Sequence, residues 1–120
     1  MTTQTSPTMD KSKELAIISI RYCREIEKAK RPDIADQLGR SSASVGANIR
    51  EAQFAESRKD FVHKMKIAYK ELSETEYWLE LCKEGFEIQS DKNPFPIILE
   101  LKKLLSATIA TAKRNQLRNK

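Results

Sequence analysis

Apolar residues recur along this chain at steps of three and four, the spacing that places side chains on one face of an α-helix. Four such runs can be read, each bounded by a helix breaker or a cap. In the first, Leu15, Ile18, Tyr22, Ile26 and Ala29 share a face. Arg31-Pro32 ends it, because proline lacks a backbone donor and disfavours a helical residue before it. The second run starts at Pro32 or Asp33 and carries Ile34, Leu38, Ser41, Val45, Ile49 and Ala52 on one stripe. Its middle, from Ser41 to Ala47, is almost entirely small. That stretch predicts a close helix–helix approach, with Gly46 lowering the helix propensity. Ser57-Arg58-Lys59-Asp60 is close to a capping box, with Asp in place of Glu, and opens a third helix. There Phe61, Met65, Ala68, Leu72, Thr75, Leu79, Cys82 and Phe86 alternate at four and three, the seam of a left-handed bundle helix. Gly85 and a loop through Asn93 close it. Asn93-Pro94 reads as an N-cap followed by proline at the first helical position. Ile97, Ile98, Leu101, Leu104, Leu105, Thr108, Ile109 and Ala112 then form the apolar face of a fourth helix.

Four helices with short connections predict an all-α fold, most economically an antiparallel up-down four-helix bundle. The chain has 120 residues, the usual size of one domain. The expected organisation is a flexible tail over 1–10, the bundle over 11–115 and a basic tail over 116–120. The two cysteines, Cys23 and Cys82, are too few for a disulfide scaffold and read as reduced, buried thiols. The opening MTTQTSPTMDKSK has no apolar core for a signal peptide, and no later run reaches the ~18 apolar residues of a membrane span. A cytoplasmic protein that does not engage membranes is expected.

Charge sharpens this picture. The formal net charge is +5, yet residues 1–100 are nearly balanced, and the last 20 residues carry Lys102, Lys103, Lys113, Arg114, Arg118 and Lys120 with no acid. The third helix is divided in the same way. Its first half holds Lys59, His63, Lys66 and Lys70 on one stripe, and its second half is rich in Glu. Such a stripe is either a solvated face or a track for phosphates. Both halves of that helix oppose its own dipole, which calls for compensation from elsewhere, for example from another subunit.

Few groups are placed for chemistry. His63 is the sole histidine, so the paired Glu-x-x-His ligands of a di-iron bundle cannot be assembled, and no metal or other cofactor is expected. The serines of the second helix lack a base and an orienting acid, and the three glycines form no phosphate loop. An enzyme is therefore not expected. Polar residues instead flank the seams: Arg40, Ser44, Asn48, Arg50 and Glu51 on the second helix, Glu71 and Glu74 on the third. These are expected to make contacts between helices or between subunits and to set register. One alternative is a helix-turn-helix DNA reader, with Ala35, Gly39 and Val45 at the motif's offsets, though Arg40 and Asn48 stand where it expects apolar packing.

The residues also carry a longer resemblance. Arg40-Ser41-Ser42-Ala43-Ser44-Val45-Gly46-Ala47-Asn48-Ile49-Arg50-Glu51-Ala52, followed by Asp60-Phe61, Ile67-Ala68 and Glu74-x-Glu76, resembles the four-helix-bundle proteins encoded in intervening sequences of bacterial large-subunit ribosomal RNA genes. Their usual pattern is Arg-Ser-x-x-Ser-Ile-x-x-Asn-Ile-Ala-Glu-Gly, then Asp-Phe, Ile-Ala and a Glu-rich stretch. The resemblance extends from about Leu15 to Ala112, and this chain departs from it at Arg50 and Ala52. It implies a bacterial, cytosolic, non-catalytic bundle assembled into a ring-like homo-oligomer, with a pentamer favoured. Relatives include the accessory variability determinant of diversity-generating retroelements, which binds nucleic acid and a partner reverse transcriptase. The expected function is thus an accessory protein that binds RNA or DNA, or works beside a reverse transcriptase. Lys59, His63, Lys66, Lys70, Lys113, Arg114, Arg118 and Lys120 are its candidate contacts. A self-assembling structural module is the alternative.

Overall fold

The computed structural model describes residues 6–88 and 92–118, and among these it holds four α-helices and no strand. They are α1 (Pro7–Lys28), α2 (Pro32–Ala52), α3 (Arg58–Gly85) and α4 (Phe95–Arg118). α1 begins earlier than its apolar period suggests. The Ser6 hydroxyl accepts the Met9 N–H at 3.1 Å and Pro7 occupies the first turn, so residues 7–10 belong to the helix and not to a flexible tail. This is the N-cap-plus-proline signal, hidden in a Thr/Ser-rich composition. At its other end Lys30 takes a left-handed conformation (φ 62°), while Lys30 and Arg31 donate backward to the Glu27 and Ile26 carbonyls at 2.9 and 3.2 Å. That closure satisfies the last carbonyls and delivers Pro32 directly into α2.

α2 is continuous across Gly39, which removes the helix-turn-helix alternative, because that motif requires a sharp turn there. Ser57 caps α3 by accepting the Asp60 N–H at 3.0 Å. Asn93 accepts the Phe95 N–H at 3.1 Å, and the Pro94 carbonyl already receives the Ile98 N–H, so α4 starts at this cap. α4 then runs to Arg118, so residues 116–118 are helix and not tail. Lys, Arg, Gln and Leu are good helix formers, and basic side chains suit a helix C-terminus. Residues 119–120 lie outside the described part of the chain.

The helices close in a ring, α1 on α2, α2 on α3, α3 on α4 and α4 back against α1, in a body of 53 × 24 × 20 Å. The core takes the stripes read above. Leu15, Ile18 and Ile26 of α1, Leu38, Val45 and Ile49 of α2, Leu72 and Leu79 of α3, and Ile98, Leu101 and Leu105 of α4 are all fully enclosed. Phe61 and Phe86 cover the ends of the α3 seam and are half-buried. On α4 the burial thins out, with Leu104, Thr108, Ile109 and Ala112 only half-covered. The paired contacts descend in order. Ser12 lies beside Gly46 and Cys23 donates to the Ala35 carbonyl at 3.3 Å, while Ser41 meets Thr75 and Glu51 meets Lys64. Of the small residues in α2, Ser41 and Ser42 are buried and Gly46 makes the close approach, whereas Ala43 and Ala47 face outward.

Both cysteines are free thiols, Cys82 buried and Cys23 half-buried. Burial, reinforced by the neighbouring Cys23, pushes the Cys82 thiol up to about 11 from its ordinary 9.0. The fold therefore favours the neutral thiol. Its contribution is complete below about pH 9, where the unfolded chain also keeps the proton, and is lost as pH rises through about 11. The guanidinium midpoint should accordingly fall between pH 8.5 and pH 11, and fall less in Cys82→Ala; equal slopes in the two proteins would assign the loss to other groups.

Candidate functional site

Two polar regions emerge from these helices. The first is the seam between α2 and α3. Arg40 reaches across to Glu71 at 3.1 Å and also bonds Glu74, whose carboxylate receives the Trp78 indole N–H at 3.4 Å. Glu71 is buried while Arg40 stays half-exposed, so the guanidinium covers the carboxylates from the solvent side. Both carboxylates lower the cost of the charge on Arg40 and hold its pKa above the ordinary value, the Glu74 hydrogen bond contributing most. Beneath this cluster the Ser41 and Thr75 hydroxyls hydrogen-bond at 2.9 Å in full burial. Thr75 also donates to the Glu71 carbonyl at 2.8 Å. Asn48 turns back on its own helix, to the Ser44 carbonyl at 2.8 Å and the Ser44 hydroxyl at 3.1 Å. Glu51 faces Lys64 at 3.9 Å, and Arg50 is exposed without an ion pair among the described residues. Among the described residues, every buried side-chain polar atom of this seam has a hydrogen-bond partner.

The second region is where the N-terminal half of α3 meets the C-terminal half of α4. Arg58 donates to the Asn115 carbonyl at 2.8 Å and thereby joins the two ends. The cations that oppose the α3 dipole thus sit beside the negative end of α4, and part of the compensation comes from within the chain. Further along, Lys102 pairs with Glu76 at 2.6 Å, and Lys64 is taken by Glu51. Lys59, His63, Lys66 and Lys70 all remain exposed, with no acidic partner among the described residues. Lys113, Arg114 and Arg118 are exposed on α4, where Arg114 leans on the Thr111 hydroxyl at 3.3 Å; Lys120 lies outside the described residues.

The structure brings together one pair from the two basic runs. Lys66 and Lys113 come together in lining a groove of about 380 Å³, which is also lined by Tyr69, Ser106, Ile109 and Ala110. The direct approach of the Lys113 ammonium, and then its charge, holds the Lys66 pKa below the ordinary lysine value. Tyr69 and Ser106 were not legible as site residues in the sequence, since Tyr69 reads as a seam-flanking aromatic and Ser106 as a neutral position on an amphipathic helix. No group of three or more His, Cys, Asp or Glu among the described residues is placed to hold a metal ion. No helix among them is long and apolar enough to cross a membrane.

Fold and surface together define a small all-helical bundle with one cation-rich end. The chain belongs to the family of 23S rRNA-intervening sequence proteins, whose pattern it matches over residues 5–107. It is also similar to a crystal structure from Bacteroides thetaiotaomicron, described as a protein with unknown function from the S23 ribosomal protein family. The two share 40% identity with a TM-score of 0.77, over 85% of this chain and 97% of that one. Nothing among curated proteins matches the chain.

Proposed function

We propose that this protein is a non-enzymatic bundle that holds RNA through its phosphate backbone, using the α3–α4 end. The observation that carries this reading is the convergence of Lys66 and Lys113 on one groove, flanked by Lys59, His63 and Lys70, which have no acidic partner among the described residues. Arg40, Lys64 and Lys102 are each neutralised by a carboxylate, whereas the α3 stripe and the C-terminal part of α4 keep their cations free of one among the described residues. In this reading the bundle is antiparallel and up-down, which the descending pairs Ser12–Gly46, Ser41–Thr75 and Glu51–Lys64 support. Copies of it assemble into a homo-oligomer, a reading supported by apolar Ile17 and Ile20 left 44% and 53% exposed on α1.

The test is fluorescence anisotropy with a structured RNA hairpin at several salt concentrations, alongside light scattering for solution mass. Three or four contacted phosphates give a slope of log affinity against log salt of roughly −2 to −4. Affinity should therefore drop about 15- to 250-fold between about 50 and 200 mM salt. Absence of binding at the lowest salt, or binding that ignores salt, would overturn the reading.

A further inference from the structure

We propose that the groove between Lys66 and Lys113 accepts one unpaired nucleotide, its phosphate bridged by the two ammonium groups and its base laid against the Tyr69 ring. This rests on the phosphate-binding reading above and narrows it from any RNA backbone to a single-stranded segment. Three features of the groove carry it.

The first is charge. Lys66 on α3 and Lys113 on α4 line the same groove close enough to oppose each other, and neither has a carboxylate partner among the described residues, although Glu76 and Glu51 serve Lys102 and Lys64. Two like charges in contact repel, and an anion bridging them turns that repulsion into two charge-assisted hydrogen bonds. The depressed Lys66 pKa is the mark of this opposition in the unliganded protein.

The second is the lining. Besides the lysine pair the walls are Tyr69, Ile109 and Ala110, with Ser106 as a hydroxyl that can donate or accept. A bare inorganic anion has no use for an apolar wall. A nucleotide has one charged end and one flat apolar face, and the groove offers matching surfaces for both. Its volume of about 380 Å³ lies within the range of pockets that hold small organic groups.

The third is access. Tyr69 is half-buried, packed against the core and also lining the groove. A base stacked in a duplex cannot reach such a ring without being unpaired. A duplex therefore engages the lysines alone, whereas a single strand engages lysines and ring together.

The experiment compares an unstructured 12-nucleotide oligoadenylate RNA with an RNA duplex of 12 base pairs, binding the full-length protein at low salt. One stacked base corresponds to roughly 5- to 150-fold in affinity. Tyr69→Leu, which keeps an apolar side chain against the core, should weaken single-strand binding by at least 5-fold and leave duplex binding unchanged. Lys113→Gln, at an exposed site, should weaken both. If Tyr69→Leu changes both equally or neither, the nucleotide site is refuted while backbone binding stands. If neither RNA binds the wild type, both readings fall. Binding of polyglutamate as tight as that of the oligoadenylate would replace the nucleotide by an acidic protein partner. Because Tyr69→Leu could perturb folding, a second measurement uses the wild type. Ultraviolet cross-linking of a 4-thiouridine oligonucleotide should label peptides containing residues 66–70 or 106–113, and labelling confined to other helices would refute the site.

Discussion

Leu72→Ala should lower the unfolding free energy by about 2–5 kcal/mol, the range for truncating an enclosed leucine when the surroundings relax only in part. Leu72 is fully buried at the middle of the α3 seam, where α3 packs against both α2 and α4. For a small domain held by about 5–15 kcal/mol, such a loss is a large share of the total. The control is Leu99→Ala on α4: Leu99 is 56% exposed and its truncation should stay within about 0.5 kcal/mol. Chemical denaturation of the two variants checks the pair. Similar losses in both would mean that the seam is not the centre of the core.

Gly46→Leu should destabilise by about 1–3 kcal/mol, because a β-carbon at Gly46 would already stand 3.3 Å from the Ser12 hydroxyl and 3.8 Å from its β-carbon. The smaller change is more informative. Gly46→Ala gains about 0.8–1 kcal/mol of helix propensity but presses on a hydroxyl fixed by its 2.8 Å bond to the Met9 carbonyl. In a Ser12→Ala background that obstacle is gone, and the same substitution should then stabilise by most of the propensity difference. A double-mutant cycle measured by denaturation reads the coupling directly. Tolerance of Gly46→Leu at full stability would show that α1 and α2 do not approach closely here.

These two positions illustrate what the chain discloses about itself. The α3 seam from Met65 to Cys82 and the α2 stripe from Ile34 to Ala52 are legible because burial on one face imposes a period that survives in the sequence. Gly46 is legible as a close approach because only small residues surround it. The first turn of α1 is less so: Ser6-Pro7 is a two-residue signal, weaker than the polar composition around it. Ser41 and Thr75 occupy apolar-stripe positions, and nothing local reveals that their hydroxyls face each other across α2 and α3. The groove at Lys66 and Lys113 is harder still to foresee. Each lysine is an ordinary surface residue of its own helix, and their opposition follows only from how α4 is laid along α3. Arg40, Glu71 and Glu74 were readable as seam residues by their helical spacing, but their sharing of one guanidinium was not.

The ring in which each helix rests on its neighbour in sequence has a kinetic consequence. Most of the native contacts join segments that are already close along the chain, so little loop-closure entropy stands between the unfolded state and the bundle. Only the return of α4 to α1 spans the full length. Assembly in the microsecond-to-millisecond range of helical bundles follows, with the α1–α2 and α2–α3 pairs able to form as the chain leaves the ribosome and α4 docking last.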